Sequence, residues 1–309
     1  MDTQKPVLLQ GAKHQYLFYP YQKEFIISNG RFAKVHPAIM LPSKQKVIIK
    51  QLHQGLVSNE ESRFRFLLEA SVQLNNSSVV QNIDFIANDN GMFLIQEYVD
   101  GVDFHKYISS RRCSRQTREK EIIKTVVAVL DSLVVVHNAG YFHCGIKPSS
   151  VFITRAADEE NNFPDVKIID FALCQSQQVI PEIRSKARIP YNIKYSAPEL
   201  LLNHLNLVNA STDLFSLGIM LYEYIAGIAP HKSINPIQMV QMQVSAPIPV
   251  HDNISNEVMS VILRACEKPV FRKPPGAYSY TETTELIADS MQYRYQNCRE
   301  MAVDLIKLI

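Results

Sequence analysis

The chain carries a compact polar stretch at residues 143–150, which read His-Cys-Gly-Ile-Lys-Pro-Ser-Ser. Gly145, near its centre, has no side chain and cannot take a proton from a reacting group. Ser150 offers a metal ion one neutral hydroxyl oxygen, which is a weaker ligand than a carboxylate or an amide carbonyl. The stretch therefore supplies positive charge through Lys147 but no carboxylate that would serve as a general base.

Three further residues could take part in phosphate chemistry. Lys50 ends an apolar Val-Ile-Ile run, and Asp170 ends an Ile-Ile run. Gly30 lies in residues 28–35, where a glycine lets backbone N–H groups approach a phosphate closely. Each also has an ordinary structural interpretation: a solvated strand end for the lysine, a turn or N-cap for the aspartate, and an Asn-Gly hairpin turn for the glycine.

The elements that must position these residues change character near residue 100. Before it, short β-type runs predict strands at residues 24–35, 47–52, 83–87 and 92–98, and apolar spacing predicts a helix at 58–75. After it, the pattern predicts helices at residues 117–138, 213–228, 256–266 and 297–309, with short strands at 150–154 and 166–169. Residues 269–280 contain Pro-Pro-Gly and predict a loop.

Composition sets broad limits on the class of protein. The 309 residues are enough for one large domain or two lobes, and 46% hydrophobic with 20% charged residues is ordinary for a soluble globular protein. A net charge of +2 gives no reason to expect a nucleic-acid partner. The five cysteines lack Cys-x-x-Cys spacing, and the longest apolar stretch, residues 122–136, is too short for a membrane span. We expect a cytoplasmic protein with no membrane span.

In their order and spacing, these segments resemble the motifs of the protein kinase superfamily, especially the bacterial eukaryotic-type serine/threonine kinases. The resemblance covers residues 20–309. It implies an α+β, bilobal kinase-like fold, with a small β-rich N-lobe containing one main helix at residues 20–99. A larger, mainly α-helical C-lobe would follow at residues 100–309. Residues 1–19 would form an N-terminal extension, and residues 269–292 an insertion.

The resemblance assigns nucleotide contacts to the first lobe. Residues 28–35 correspond to the loop that covers the nucleotide, with Gly30 kept from its glycines. Lys50 corresponds to the lysine that pairs with the α- and β-phosphates. The usual partner of this lysine is a glutamate on the following helix. Glu69 is the nearest candidate, although the strict family register falls on Leu67.

Two further motifs imply contacts with adenine and with metal. Residues 96–101 resemble the hinge whose backbone binds adenine, which places Glu97 and Val99 at the nucleotide and Gln96 at the gatekeeper position. Asp170 begins Asp-Phe-Ala in place of Asp-Phe-Gly, and the resemblance implies that it binds a magnesium ion bridging the phosphates.

The polar stretch itself corresponds to the kinase catalytic loop, His-Arg-Asp-Leu-Lys-Pro-x-Asn. His143, which holds the loop, and Lys147, which neutralises the transferred phosphoryl group, are kept. Gly145 replaces the general-base aspartate, and Ser150 replaces the metal-binding asparagine. Cys144 replaces the arginine that binds a phosphorylated activation loop. The loss of a positioned general base typically costs about 10²- to 10⁴-fold in rate.

Structural motifs of the family are retained farther along the chain. Residues 195–199 resemble the Ala-Pro-Glu end of the activation segment. Asp213 opens the segment that resembles the central helix, and in the family this residue binds the catalytic-loop backbone. Glu199 normally pairs with a late arginine, for which Arg294 is our first candidate and Arg272 the alternative.

Two weaker patterns were also noted. The arginines at 111, 112, 115 and 118 form a basic run, which usually indicates a solvated helix face. Residues 156–164 predict an acidic loop between two strands.

The structural motifs are kept, whereas the chemical ones are degraded, including the Asp-Phe-Gly glycine, which is Ala172. The resemblance therefore favours a pseudokinase over an enzyme. Such a protein would bind, scaffold or allosterically regulate an unidentified protein partner, with weak or absent binding of ATP and magnesium. The alternative is a low-activity serine/threonine protein kinase that transfers the γ-phosphate of ATP.

Overall fold

The computed structural model describes residues 5–111, 113–158, 162–178 and 191–309. The chain divides into two compact units, Met1–Asp100 and Gly101–Ile309, one residue after the boundary expected at 99. The first unit is built on a β-sheet and the second mainly on helices, which confirms the α+β class. Residue 112 of the basic run and residues 159–161 of the predicted acidic loop lie outside the described residues.

The sheet of the first unit contains seven strands. They are β1 (Val7–Gln10), β2 (Gln15–Phe18), β3 (Ser28–Asn29), β4 (Ala33–Leu41), β5 (Gln45–Leu52), β6 (Asn82–Asn88) and β7 (Gly91–Glu97). The strand order is β1-β2-β4-β5-β7-β6, with β3 also paired to β4, and the neighbours are antiparallel. Short connections explain why β1–β2, β4–β5 and β6–β7 are antiparallel pairs.

The expected N-terminal extension is part of this sheet. Strands β1 and β2 form a hairpin, and β2 pairs with the far end of β4. Asp84 of β6 holds the hairpin, because its Oδ2 accepts hydrogen bonds from the Ala12 N–H at 3.1 Å and the Tyr16 hydroxyl at 3.2 Å. Tyr16 and Phe18 are buried in the same apolar core as Ile49. The boundary expected at residue 20 is therefore not a structural one.

The strand predicted at residues 24–35 is interrupted. Strands β2 and β3 both pair with β4, but residues 19–27 between them leave the sheet. Pro37 of β4 explains the gap. The Val35 carbonyl accepts a hydrogen bond from the Ile27 N–H, so Val35 and Pro37, two residues apart, face the same edge. Pro37 has no N–H to offer a partner there.

Helix α1 (Glu60–Ser71) packs against the sheet and is shorter than the predicted helix at 58–75. Asn59 caps its N-terminus, with its side-chain Oδ1 accepting a hydrogen bond from the Ser62 N–H at 2.8 Å. Phe66 packs against apolar residues of β5 and β7.

The described residues of the second unit form helices and two small β-sheets. Its helices are α2 (Phe104–Ser110), α3 (Arg115–Asn138), α4 (Pro198–Leu201), α5 (Ala210–Ala226), α6 (Pro236–Ser245), α7 (Asn256–Ala265), α8 (Tyr280–Gln292) and α9 (Cys298–Ile306). Its strands are β8 (Val102–Asp103), β9 (Tyr141–Phe142), β10 (Val151–Arg155), β11 (Asp165–Ile168) and β12 (Gln175–Ser176). Strand β10 pairs with β11 and β8, and β9 pairs with β12. In the described parts of the chain, no helix combines the length and apolar content needed to cross a bilayer.

Helices α2, α4, α6 and α8 were not predicted. Helix α8 lies in the expected insertion and begins at a capping box, in which Ser279 and Glu282 each bind the other's backbone N–H. It packs on the segment that follows α4. The ring of Tyr280 stacks on His204 at 4.3 Å, and His204 Nδ1 lies 2.9 Å from Thr284 Oγ1. Burial lowers the pKa of His204, so the ring is held neutral.

Candidate active site

The first unit pairs Lys50 with Glu69. Lys50 Nζ on β5 lies 2.5 Å from Glu69 Oε1 on α1, and the side chains are only 11% and 2% exposed. Leu67, at the strict family register, lies on the opposite side of α1 and is 45% exposed. The strict register assumes a helix that continues to residue 75, whereas α1 ends at Ser71.

The segment resembling the nucleotide loop is a tight hairpin between β3 and β4. The Gly30 N–H donates to the Ala33 carbonyl at 3.0 Å, so Arg31 and Phe32, rather than Asn-Gly, form the centre of the turn. His53 holds this turn to the end of β5. Its Nε2 lies 2.7 Å from the Gly30 carbonyl oxygen, and its backbone N–H donates to the Phe32 carbonyl.

The segment resembling the hinge begins at the end of β7. The Glu97 side chain accepts a hydrogen bond from the Gln81 N–H at 2.8 Å. Val99 follows, half-buried and outside the strand. Gln96 is buried, and its Nε2 donates to Asn82 Oδ1 at 2.7 Å.

In the second unit, Asp213 holds the loop at residues 143–150. Asp213 lies in the first turn of α5 and is fully buried. Its carboxylate accepts hydrogen bonds from the His143 N–H at 2.9 Å and the Cys144 N–H at 2.8 Å, and His137 Nε2 lies 2.9 Å away. Burial alone would raise the pKa of Asp213, but these hydrogen bonds and the nearby imidazoles lower it below its usual value.

His143 connects this loop to the segment that contains Asp170. Its Nε2 donates to the Ile169 carbonyl at 2.9 Å, so its Nδ1 accepts a hydrogen bond from the Gly145 N–H at 3.2 Å. Its ring packs on Phe171 at 4.6 Å. Burial lowers the pKa of His143, which keeps the ring neutral, as this arrangement of one donor and one acceptor requires.

Lys147 and Asp170 form a partly exposed ion pair in the second unit. Lys147 Nζ donates to Asp170 Oδ2 at 2.9 Å, and both side chains are about one-third exposed, at 28% and 33%. Asp170 has a φ of +69°, in the left-handed region that few non-glycine residues adopt. Strained backbone of this kind persists where the surrounding structure fixes it.

Gly145 and Ser150 lie at the positions where the resemblance expects a general base and a metal ligand. A Cβ built on Gly145 would lie 3.5 Å from the His143 ring and 3.6 Å from Leu173 Cβ, which are ordinary contacts. Ser150 is buried, and its hydroxyl donates to the Lys147 carbonyl at 2.8 Å and accepts from the Lys147 N–H at 3.0 Å. The hydroxyl therefore caps its own turn.

Cys144 lies in an apolar cluster. It packs with the buried residues Phe142, Tyr191, Leu200, Leu205 and Val208. The resemblance expects an arginine at Cys144, and a thiol carries no positive charge that could pair with a phosphate.

Glu199 and Arg294 form a fully buried ion pair. Arg294 Nη1 lies 3.0 and 3.1 Å from the two carboxylate oxygens of Glu199, and Arg294 Nε donates to the Glu267 carbonyl. Thr212 adds a hydrogen bond to Glu199 at 2.8 Å. Arg272, the alternative partner, is exposed.

The donor set fits one magnesium ion better than two. Across the described residues, no group of three or more His, Cys, Asp or Glu side chains is arranged to hold a metal ion. Magnesium bound with a nucleotide needs only one or two carboxylates, because phosphate and water oxygens complete its shell. Asp170 meets that need, whereas the engaged hydroxyl of Ser150 does not fit a second ion.

Comparison with known proteins identifies the family. A family model described as the protein kinase domain matches residues 21–278. The chain belongs to the protein kinase family. The two units and the motif positions described above agree with that membership.

Its relatives include several bacterial proteins. The chain is 27% identical to the serine/threonine-protein kinase pkn3 of Myxococcus xanthus over 275 residues, covering 85% of this chain and 49% of that protein. It is 29% identical to the probable serine/threonine-protein kinase pknA2 of Bifidobacterium longum, covering 87% and 36%. It is 24% identical to the serine/threonine-protein kinase PknB of Mycobacterium leprae, covering 93% and 43%. The chain thus spans less than half the length of these relatives.

Proposed function

We propose that this chain is a nucleotide-binding pseudokinase. In this proposal it binds ATP with magnesium and regulates a protein partner through its conformation rather than by phosphoryl transfer. The observation that carries the proposal is Gly145. The position of the general base has no side chain, and its backbone N–H is occupied by His143. Residue 145 itself therefore offers no side-chain proton acceptor to an attacking hydroxyl.

Nucleotide binding is supported by the charged groups that remain. Lys50 is held by Glu69, as the phosphate-contacting lysine of the family is. Lys147 would neutralise phosphate charge, and Asp170 would hold one magnesium ion. ATP, when bound, supplies the phosphates that complete this metal's coordination.

The binding part of the proposal is tested by thermal unfolding with ATP and magnesium. A ligand that binds only the folded state stabilises it by RT ln(1 + [L]/Kd), which is about 2.7 kcal/mol at 100 times Kd. We expect a stabilisation that Lys50→Met removes. If millimolar ATP does not stabilise the wild-type protein, the nucleotide-binding part is wrong.

A slow serine/threonine kinase is the second candidate. The intact Lys50–Glu69 pair favours it, because positioning and electrostatics supply most of the catalysis in phosphoryl transfer. The comparisons also favour this candidate over the first, since the relatives carry serine/threonine kinase names. Phosphate transfer that depends on Lys50 would decide for the kinase.

A further inference from the structure

The C-terminal end of helix α1 is bound by a side chain of the sheet. The last carbonyl groups of a helix have no partner within the helix. Asn82 of β6 supplies one, because its Nδ2 donates to the carbonyl oxygens of Glu69 at 2.8 Å, Val72 at 3.0 Å and Ala70 at 3.3 Å. The helix turn that carries Glu69 is therefore fixed to the sheet.

Gln96 in turn holds Asn82. The two residues are direct partners across the β6–β7 pair, and Gln96 Nε2 donates to Asn82 Oδ1 at 2.7 Å. Gln96 is 4% exposed, so the amide it directs at Asn82 is shielded from water. A buried hydrogen bond of this kind also fixes which end of the Asn82 amide faces the helix.

A β-bulge makes this arrangement possible. Residues two apart in a regular strand face the same side, yet Asn82 contacts α1 while Asp84 contacts the N-terminal hairpin through Tyr16. The register shifts between Asn82 and Asp84, which makes Ile83 the extra residue. Bulges often redirect side chains next to functional sites.

The same side of the sheet carries Lys50. Lys50 pairs with Leu94 across β5 and β7, and Leu94 lies two residues before Gln96. Leu94 packs with Phe66 of α1, so this side of β7 faces the helix. The ion pair and the amide chain therefore join the same helix to the same face of the sheet.

We propose that Gln96 is a positioning residue, which acts through Asn82 to keep Glu69 of α1 in contact with Lys50. The nucleotide arm of the test below rests on the proposed function. The positioning itself is measured in the nucleotide-free protein, so the two can fail separately.

The test compares Gln96→Met with Gln81→Met. Methionine keeps the length of glutamine and removes the amide. Gln81 is the matched control, because its Nε2 also donates to three carbonyl groups, those of Leu74, Asn76 and Val79, but to none in α1. Two quantities are measured: hydrogen exchange at the amides of residues 68–72, and the rate at which an amine-acylating reagent modifies Lys50.

We expect Gln96→Met to raise both quantities by about three- to tenfold, the effect of losing one hydrogen bond of typical strength. Gln81→Met should leave both near wild type. If the two variants have equal effects, Gln96 is an ordinary core residue and the proposal is wrong. The proposal is also wrong if Gln96→Met changes neither quantity.

If Gln96→Met does not fold, Gln96→Asn replaces it, because asparagine keeps the amide but is one methylene too short to reach Asn82. It should change both quantities in the same direction, and unchanged values would overturn the proposal. In the nucleotide arm, Gln96→Met should weaken ATP binding by a similar factor. If ATP binds neither the wild type nor Gln96→Met, the proposed function is wrong. The exchange and acylation results then still test the positioning role of Gln96.

Discussion

The backbone N–H of Gly145 donates a hydrogen bond to Nδ1 of His143 at 3.2 Å. Through this contact, His143 fixes the backbone of the loop at Gly145, the residue that the resemblance aligns with the general base. The other side of the His143 ring binds the Ile169 carbonyl, next to Asp170. The hydrogen bonds that hold this part of the loop therefore need no side chain at residue 145.

Restoring the two missing side chains should create phosphotransfer. We expect Gly145→Asp with Ser150→Asn to transfer the γ-phosphate of ATP about 10²- to 10⁴-fold faster than wild type, the usual contribution of a general base. A Cβ at Gly145 would make only ordinary contacts, so a side chain should be accommodated at that position. The measurement is radiolabel transfer to a generic protein substrate. Gly145→Ala with Ser150→Asn is the control, and a rate equal to the double variant would show that the carboxylate is not responsible.

Separating Lys50 from Glu69 should affect stability and binding differently. Lys50→Met leaves a buried carboxylate without its partner, which should cost about 3–5 kcal/mol in urea unfolding. Adding Glu69→Leu should recover most of that loss but not ATP binding. Lys46→Met, near the exposed start of β5, is the control and should change neither. Recovery of ATP binding in the double variant would contradict a role for Lys50 in contacting phosphate.

Arg294 should matter far more to stability than Arg272. Arg294→Gln leaves Glu199 charged and fully buried, so we expect a loss of about 3–5 kcal/mol in the free energy of unfolding. Arg272→Gln changes an exposed side chain and should stay within about 0.5 kcal/mol of wild type. Similar losses for the two variants would show that the buried pair is not what stabilises this part of the second unit.

Acid should weaken the fold through His231. The His231 ring is buried, and Nζ of Lys268 lies 2.9 Å from its Nε2. Burial, together with the charge of Lys268, lowers the pKa of His231 from 6.5 to about 4. Because the folded pKa is lower, the unfolded chain binds the proton first as the pH falls. The stability contributed by His231 is therefore complete above pH 6.5 and is lost as the pH falls toward about 4.

The measurement is the free energy of unfolding as a function of pH, in wild type and in His231→Gln. Glutamine keeps an acceptor for Lys268 but does not titrate. Over this pH window, the free energy of unfolding should change more steeply with pH in the wild type than in His231→Gln. The difference between the two slopes should correspond to the uptake of up to one proton on unfolding. Identical slopes would mean that His231 is protonated equally in the folded and unfolded states.

Motifs that are short and contiguous could be predicted from the sequence, whereas features that depend on where an element ends could not. The helix carrying Glu69 was predicted, but its end at Ser71 depends on the carbonyl contacts of Asn82, which lies eleven residues farther along the chain. The N-terminal hairpin was missed because its strands have four residues each and are fixed by Asp84, far away in sequence. The capping box at Ser279 was a visible signal for helix α8 that the Pro-Pro-Gly segment before it obscured.

The central claim is that the chain binds ATP but does not transfer its phosphate efficiently. The most direct test is transfer of radiolabelled γ-phosphate by the wild-type protein, with magnesium or manganese, beside Lys50→Met under identical conditions. We predict that wild-type transfer is no greater than that of Lys50→Met, although ATP stabilises the wild-type protein alone. Wild-type transfer that Lys50→Met abolishes would contradict the claim and identify the chain as an active kinase.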